Sequence, residues 1–259
     1  MRYVVGSWVT KKLDFLKYYL PKCTATISTD CSRSYYVDAF ASSGKNRLRN
    51  SGRILEGSAL IALQTEPAFT DYVFIESNGW YYHQLLENIA SHQHRLDIQS
   101  FFDDCNKLLP DMLARIPPNS PLVVFFDPEG IHELLWVTVE EVAKRSNAHL
   151  IVTFSCMGVS RCSQKPQDEE ALDRFYGTRG WRDIACKRKL GKLSPGEARA
   201  AFLDLYKMRL RKHFKYVDDV LFAETEGHKP LYYIIVATRD ESVFKMGRQY
   251  KMQHGGRRD

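Results

Sequence analysis

The chain reads as an α/β protein built on a mostly parallel sheet, with helices on both faces and an antiparallel hairpin near its C-terminal end. Three observations predict this. Apolar runs and helical patterns alternate five times between residues 35 and 154. Several runs end in an acid followed by small residues, as a buried parallel strand does when it enters a tight loop. Two late apolar runs, 217–223 and 231–237, flank Glu226-Gly227-His228-Lys229-Pro230 and read as a hairpin.

A chain of 259 residues can bury a full core as one large domain. Its 44% hydrophobic and 26% charged residues are ordinary for a soluble globular protein. No apolar run approaches the roughly 20 residues of a membrane span. The start, Met1-Arg2-Tyr3-Val4-Val5-Gly6, lacks the apolar stretch and cleavage site of a signal peptide. A cytoplasmic location and no membrane partner are therefore expected.

In order, Ser7 to Leu20 predicts a helix, with Leu13, Leu16 and Leu20 at helical spacing and Pro21 as its stop. The first strand is 35–40, in Tyr35-Tyr36-Val37-Asp38-Ala39-Phe40-Ala41-Ser42-Ser43-Gly44. A loop to about Gly52 and a helix over 56–64 follow. The second strand, 72–76, ends in Glu76, and its helix covers about 79–92. A weaker third strand, 96–100, leads through Asp103-Asp104-Cys105-Asn106 into a helix to about Arg115. The most apolar strand, Leu122 to Phe126, ends in Asp127-Pro128-Glu129-Gly130 and precedes a helix over about 132–145. The fifth strand is 149–154. Residues 156–196 look polar and irregular, with one short helix over 168–176. Pro195 opens a helix to about His213. A helix over 241–252 and a frayed Gly-Gly-Arg-Arg-Asp tail close the chain.

The net charge is +6 and the excess is uneven. It gathers in a segment at about 156–215, which holds Lys187, Arg188 and Lys189, and in the tail. A basic face of this kind can neutralise phosphates, which points to DNA or RNA. A solvated helix surface is the plainer alternative. The six cysteines form no C-x-x-C pair and are expected to be reduced and mostly structural. Cys156 and Cys162 have the chemistry of metal ligands but no matching second pair, so no metal is expected.

The strand-end acids carry the functional reading. In an open α/β sheet, ligands sit beyond the carboxyl ends of the strands. Asp38 would lie beside the amino-acid part of a cofactor, and Glu76 could hold two ribose hydroxyls. Asp104 could accept from an adenine amine, and Asp127-Pro128-Glu129-Gly130 lies where a substrate base would enter. Each acid alone is more often a helix N-cap. Four at successive strand ends favour a cofactor site.

A parallel sheet closed by an antiparallel hairpin is the layout of class I S-adenosylmethionine-dependent methyltransferases, with a Rossmann-like core. The motifs Lys12 with Tyr19-Leu20, Tyr36-Val37-Asp38-Ala39-Phe40-Ala41, Gly57-Ser58, Phe74-Ile75-Glu76, Asp104-Cys105-Asn106, Asp127-Pro128-Glu129-Gly130, Phe154 with Arg161, Gly177-Thr178 with Trp181, and Leu231-Tyr232-Tyr233 run in order along the chain. Together they resemble the three-Cys-motif partner family (TcmP), and through it adenine-N6 methyltransferases of DNA and ribosomal RNA. The resemblance implies one methyltransferase-like domain over 1–259. It implies S-adenosylmethionine held by Lys12, Asp38, Phe40, Ala41, Ser42, Gly44, Glu76, Ser77, Asp104 and Cys105. Chemistry would fall on Asp127, Pro128, Glu129 and Gly130, and substrate on Arg161, Trp181, Lys187, Arg188 and Lys189. A radical-S-adenosylmethionine-like three-Cys-motif protein is the implied partner. Methyl transfer to an amino nitrogen of a nucleic-acid base is the implied reaction.

Two departures keep other readings open. Ser42-Ser43-Gly44 stands where the family loop has Gly-Pro-Gly, and Glu129 stands where adenine-N6 enzymes have Pro before a stacking aromatic. Trp136, Phe154 or Trp181 could stack on the base instead. A non-catalytic nucleic-acid or partner-binding module with a degenerate cofactor site is the first alternative. A metal-dependent nuclease using the acids is the second.

Overall fold

The computed structural model describes residues 4–6, 8–27, 33–92, 96–224 and 230–254. The expected hairpin turn at 226–229, Cys31, the helix start at Ser7 and the tail at 255–259 lie outside the described residues. Strand β1 (Val4–Val5) and helix α1 (Trp8–Ile27) come first. Strand β2 (Tyr35–Asp38) follows, then β3 (Lys45–Leu48), β4 (Ile54–Glu56) and α2 (Ser58–Leu63). The next pairs are β5 (Asp71–Glu76) with α3 (Gly79–Ile89), and β6 (Asp97–Phe102) with α4 (Cys105–Arg115). Then come β7 (Leu122–Phe126), α5 (Trp136–Ala143) and β8 (Ala148–Ser155). Helices α6 (Cys156–Cys162), α7 (Glu169–Tyr176), α8 (Trp181–Lys189) and α9 (Pro195–Leu210) lead to β9 (Tyr216–Glu224), β10 (Pro230–Thr238) and α10 (Glu241–His254).

Seven strands form the main sheet in the order β6-β5-β2-β7-β8-β10-β9. The first five run parallel, and β10 pairs antiparallel with both β8 and β9. This is the Rossmann-like methyltransferase sheet that the sequence predicts. From β2 the chain first winds outward through β5 and β6, then returns to the other side of β2 at β7. The β2–β7 boundary is therefore the topological switch point, where a crevice opens at the carboxyl ends.

Alternation along the strands sorts two cores. Tyr35, Val37, Leu122, Val124 and Phe126 face α4 to α9, whereas Tyr36, Val123 and Phe125 face α1, α2, α3 and α10. By the same alternation Asp38 and Glu76 fall on the α1 side. Helix α9 starts as its sequence asks, with Pro195 in its first turn and a Ser194–Glu197 capping box worth about 1 kcal/mol. A Lys207–Asp219 ion pair, both residues buried, ties α9 to β9.

Four expectations need correction. The first helix does not stop at Pro21 but runs to Ile27. Proline in a helix costs about 3 kcal/mol. Beyond it Cys23 and Thr24 are fully buried, and before it Phe15, Leu16, Tyr19 and Leu20 are too. Each buried side chain of that size returns about 1.5–3 kcal/mol, so packing outweighs the proline. The Thr24 hydroxyl donates to the Leu20 and Pro21 carbonyls at 3.1 and 3.0 Å.

Second, residues 44–56 are not a plain loop. β3 pairs antiparallel with β4 and parallel with β1, giving a small three-stranded sheet, and α2 begins only at Ser58. Third, the helix expected from 132 begins at Trp136. Asn106 Oδ1 accepts from the Leu135 amide at 3.0 Å and the Thr138 hydroxyl at 2.8 Å, so a side chain from α4 caps α5 there. Fourth, 156–196 is mostly helical. Its helices bury Cys156, Val159, Cys162, Ala171, Leu172, Phe175, Tyr176 and Trp181, a stripe hidden among many charges.

Candidate functional site

A cavity of about 450 Å³ opens at the switch point. Its walls come from α1 (Trp8, Lys12), the loop after β2 (Phe40, Ala41, Ser42, Gly44), the small sheet (Lys45, Asn46), Gly57-Ser58, the end of β5 (Glu76, Ser77), and Asp127-Pro128-Glu129. Tyr81, Glu133, Thr153 and Tyr232 also line it. The volume is that of an ordinary small-molecule site.

Asp38 lies just beneath the floor, fully buried. Its Oδ1 accepts from the Phe40 amide at 3.2 Å, while Oδ2 has no hydrogen-bond partner of normal geometry. Burial pushes its pKa up to about 7, against the lowering influence of the Ser58 hydroxyl and the Phe40 amide. Ser42 adopts φ 51°, a left-handed conformation that a serine adopts at some cost, and its buried Oγ is also unpartnered. Gly44 sits at φ 71°, and a Cβ on Gly57 would meet the Gly44 carbonyl at 2.9 Å. The loop after β2 and the start of α2 therefore touch backbone to backbone.

Glu76 Oε1 accepts from the Asn78 amide at 2.7 Å. Burial raises its pKa, and the Asn78, Ser42 and Ser77 amides pull it back. Across the cleft, Glu133 accepts from the Glu129 amide at 2.6 Å, and burial raises its pKa too. Asp127 does not cap α5. Its Oδ2 is paired with Lys12 Nζ, which reaches over from α1 with its own side chain mostly buried. The Trp8 ring lies over the same ammonium, 5.9 Å from its centroid, and Trp8 stacks on Tyr232 at 4.6 Å.

The expected residues divide as follows. Lys12, Phe40, Ala41, Ser42, Gly44, Glu76, Ser77, Asp127, Pro128 and Glu129 line this cavity; Asp38 does not, and is buried behind the lining residues Phe40 and Ser58, with which it interacts. Asp104 does not: it caps α4, accepting from the Asn106 amide at 2.9 Å. Cys105 is buried in the opposite core, where burial raises its thiol pKa. Gly130 lines a second cavity of about 360 Å³, together with Arg161, and Glu129 and Tyr232 belong to both. Trp181 is 2% exposed and donates to Asp173 at 2.8 Å, so it packs rather than stacks on substrate. Trp136 and Phe154 are likewise core residues. Lys187, Arg188 and Lys189 are on the outer surface of the molecule on α8, with Lys187 paired to Asp183 at 2.8 Å.

Sequence reasoning missed Trp8, Tyr81, Glu133 and Thr153 as wall residues. Their only signal was position beside strand ends and helix starts. The pairing of Lys12 with Asp127, 115 residues apart, had no local signature.

The residues present fit S-adenosylmethionine. Two buried oxygens without a partner, on Asp38 and Ser42, lie at the end of β2 and in the loop after it, where that loop packs backbone to backbone on Gly57, and Glu76 ends the neighbouring strand. Glu76, Glu129, Glu133 and Asp127 make the walls acidic, which suits a ligand carrying an ammonium and a sulfonium.

No protein-family model matches the chain, and no curated protein matches it. Among solved structures, protein LPL1258 of Legionella pneumophila shares 10% identity over 94% of this chain and 93% of its own, with a TM-score of 0.56. A human methyltransferase 10 domain containing protein aligns over 90% of this chain and 84% of its own at 8% identity and TM-score 0.46. An rRNA methylase of Streptococcus thermophilus aligns over 90% and 96% at 10% identity and TM-score 0.42. Among the described residues, no helix is long and apolar enough to cross a membrane. The resemblance to the three-Cys-motif partner family rests on its motifs alone. The match to the Legionella protein over nearly its whole length shows a shared fold, and the sheet order gives this chain the architecture of class I methyltransferases.

Proposed function

We propose that the protein is an S-adenosylmethionine-dependent methyltransferase acting on an amino nitrogen of a nucleic-acid base. One observation carries this reading. Asp127 and Glu76, from strands on opposite sides of β2, open into one cavity at the switch point. The cofactor would supply an electrophilic methyl group. Glu76 would take the ribose hydroxyls, and the loop at Ser42, with Lys12, the amino-acid end. Asp127 and the Pro128 carbonyl would accept from the target amine and aim its lone pair, so that the protein contributes alignment rather than a covalent nucleophile. Tyr232 or Tyr81, both on the cavity wall, would replace the missing aromatic after Pro128 as a stacking surface.

The basic outer face of α8 would hold phosphates, and a three-Cys-motif protein would be its physical partner. The chain would work in the cytoplasm. The test is calorimetry with S-adenosylmethionine, followed by labelled methyl transfer to total DNA and RNA. Asp127→Ala should retain cofactor binding and lose about a hundredfold or more of transfer. Wild-type transfer in that variant would refute the assignment.

The Lys12–Asp127 pair favours a second reading. An acceptor with one of its two oxygens already held by an ammonium is a weaker acceptor for an amine, as would suit a module that binds the cofactor without turning it over. Cofactor binding with no transfer to any nucleic acid would select it. The nuclease reading lacks such support: among the described residues, the group of side chains converging closely enough for a metal lies elsewhere.

A further inference from the structure

Beside the candidate site, three side chains from separate segments converge. His132 lies just past the Asp127-Pro128-Glu129-Gly130 turn. Cys162 ends α6, and Asp168 ends a short 3-10 turn over Pro166–Asp168. One donor atom from each lies within 4.8 Å of the others. His132 Nε2 is 3.5 Å from Asp168 Oδ1. Ligands at the usual 2.0–2.3 Å from zinc in a tetrahedron stand about 3.3–3.8 Å apart, so this edge already has the right length. Cys162 and Asp168 are each 8% exposed, while His132 is exposed on the open side. All three line the second cavity, of about 360 Å³, which leaves room for a further ligand.

We propose that His132, Cys162 and Asp168 form a zinc site with three protein ligands and one open position. The donor set is what zinc takes: a thiolate, an imidazole nitrogen and a carboxylate oxygen. Two negative ligands balance the dication. Binding would displace the Cys162 proton to solvent, with no change of oxidation state. Arg161, which interacts with the Cys162 sulfur, and Lys165, on the same cavity wall, are the nearby cations the metal has to overcome. The cysteine pairing considered from the sequence is replaced here, because Cys156 is fully buried in the core and is not part of the group. Bound zinc would clamp the turn that carries Glu129 and Gly130 onto the 156–168 segment. It would thereby fix a wall shared by both cavities, and this holds whether or not the protein transfers methyl groups.

The test is titration of metal-free protein with zinc sulfate alone by calorimetry, with cobalt(II) as the spectroscopic probe. Expected are one equivalent of zinc, the visible bands of tetrahedral cobalt, and a thiolate-to-cobalt charge-transfer band. His132→Ala changes an exposed side chain and should fold. It should weaken zinc by more than about tenfold, since even outer-shell changes cost 10–100-fold. Cys162→Ser should abolish the charge-transfer band, whereas Cys186→Ser, at an exposed cysteine, should keep it. Absence of stoichiometric binding, affinity unaltered by either ligand substitution, or a band lost in Cys186→Ser instead overturns the site.

Discussion

Asp38 offers a quantitative test of the cavity floor. Its carboxyl is fully buried, and its pKa is raised from 3.8 to about 7, chiefly by desolvation. An acid with a raised folded pKa binds its proton more tightly in the native state than in the unfolded one. The contribution of Asp38 to stability is therefore greatest below pH 4, falls as the pH rises from about 4 to 7, and levels off above. The shift of about three units corresponds to roughly 4 kcal/mol lost across that window. Asp38→Asn keeps the shape and the acceptor for the Phe40 amide but cannot ionise. His149 complicates the raw profile. Burial lowers its pKa from 6.5 to about 4, so its contribution is lost as the pH falls through the same range. That slope has the opposite sign but is common to both proteins, so it cancels in the difference. Urea unfolding of both at pH 5 and pH 8 is the assay. The variant should gain on the wild type by up to about 4 kcal/mol between a pH below 4 and pH 8, and by most of that between pH 5 and pH 8. An equal difference at the two pH values would mean that Asp38 ionises normally, and the argument from its burial would fail.

Further outcomes follow from the same geometry. Glu76→Ala removes the acceptor proposed for the ribose and should cost about 2–3 kcal/mol of cofactor binding, read by calorimetry; unchanged affinity in a folded variant would refute that role. Lys12→Met should weaken cofactor binding about tenfold if Lys12 serves the amino-acid carboxylate, whereas equal or tighter binding would show that it only blocks Asp127. Neutralising Lys187, Arg188 and Lys189 together should flatten the salt dependence of nucleic-acid binding, and an unaltered slope would place the phosphate-binding face elsewhere.

The strands of the main sheet were legible because a parallel strand buried on both faces is a continuous apolar run, as Leu122 to Phe126 shows. An acid ends such a run at Glu76 and follows it at Asp127, so these two cavity-lining residues could be named without coordinates. What was hidden had mixed signals. Lys45–Leu48, the middle strand of the small sheet, is polar, with no apolar run to announce it. Helices α6 and α8 each bury little, Cys156, Val159 and Cys162 in one and Trp181 in the other, so they read as irregular, whereas α7, expected over 168–176, runs Glu169–Tyr176. Pro21 is a stop signal by local chemistry, and only the burial beyond it overrides that signal. Asp104 shows the limit in the other direction: a strand-end acid can be a cap, and here it is. The Lys12–Asp127 and His132–Cys162–Asp168 groupings are made by tertiary structure, so no spacing rule reveals them.

The stack of Trp8 on Tyr232 also bears on how the protein is made. Trp8 leaves the ribosome well before Tyr232, which follows it by more than 200 residues. Helix α1 packs against α10, where Tyr19 lies close to Gly247. Strand β8 gains its second neighbour only when β10 emerges. A growing chain thus carries the loop after β2 and the Asp127 turn long before it has the wall that encloses them. Synthesis arrested before β10 would leave α1 without its seat and the cavity open on one side. Truncated or stalled products should therefore be unable to capture the ligand and compete with finished molecules for it.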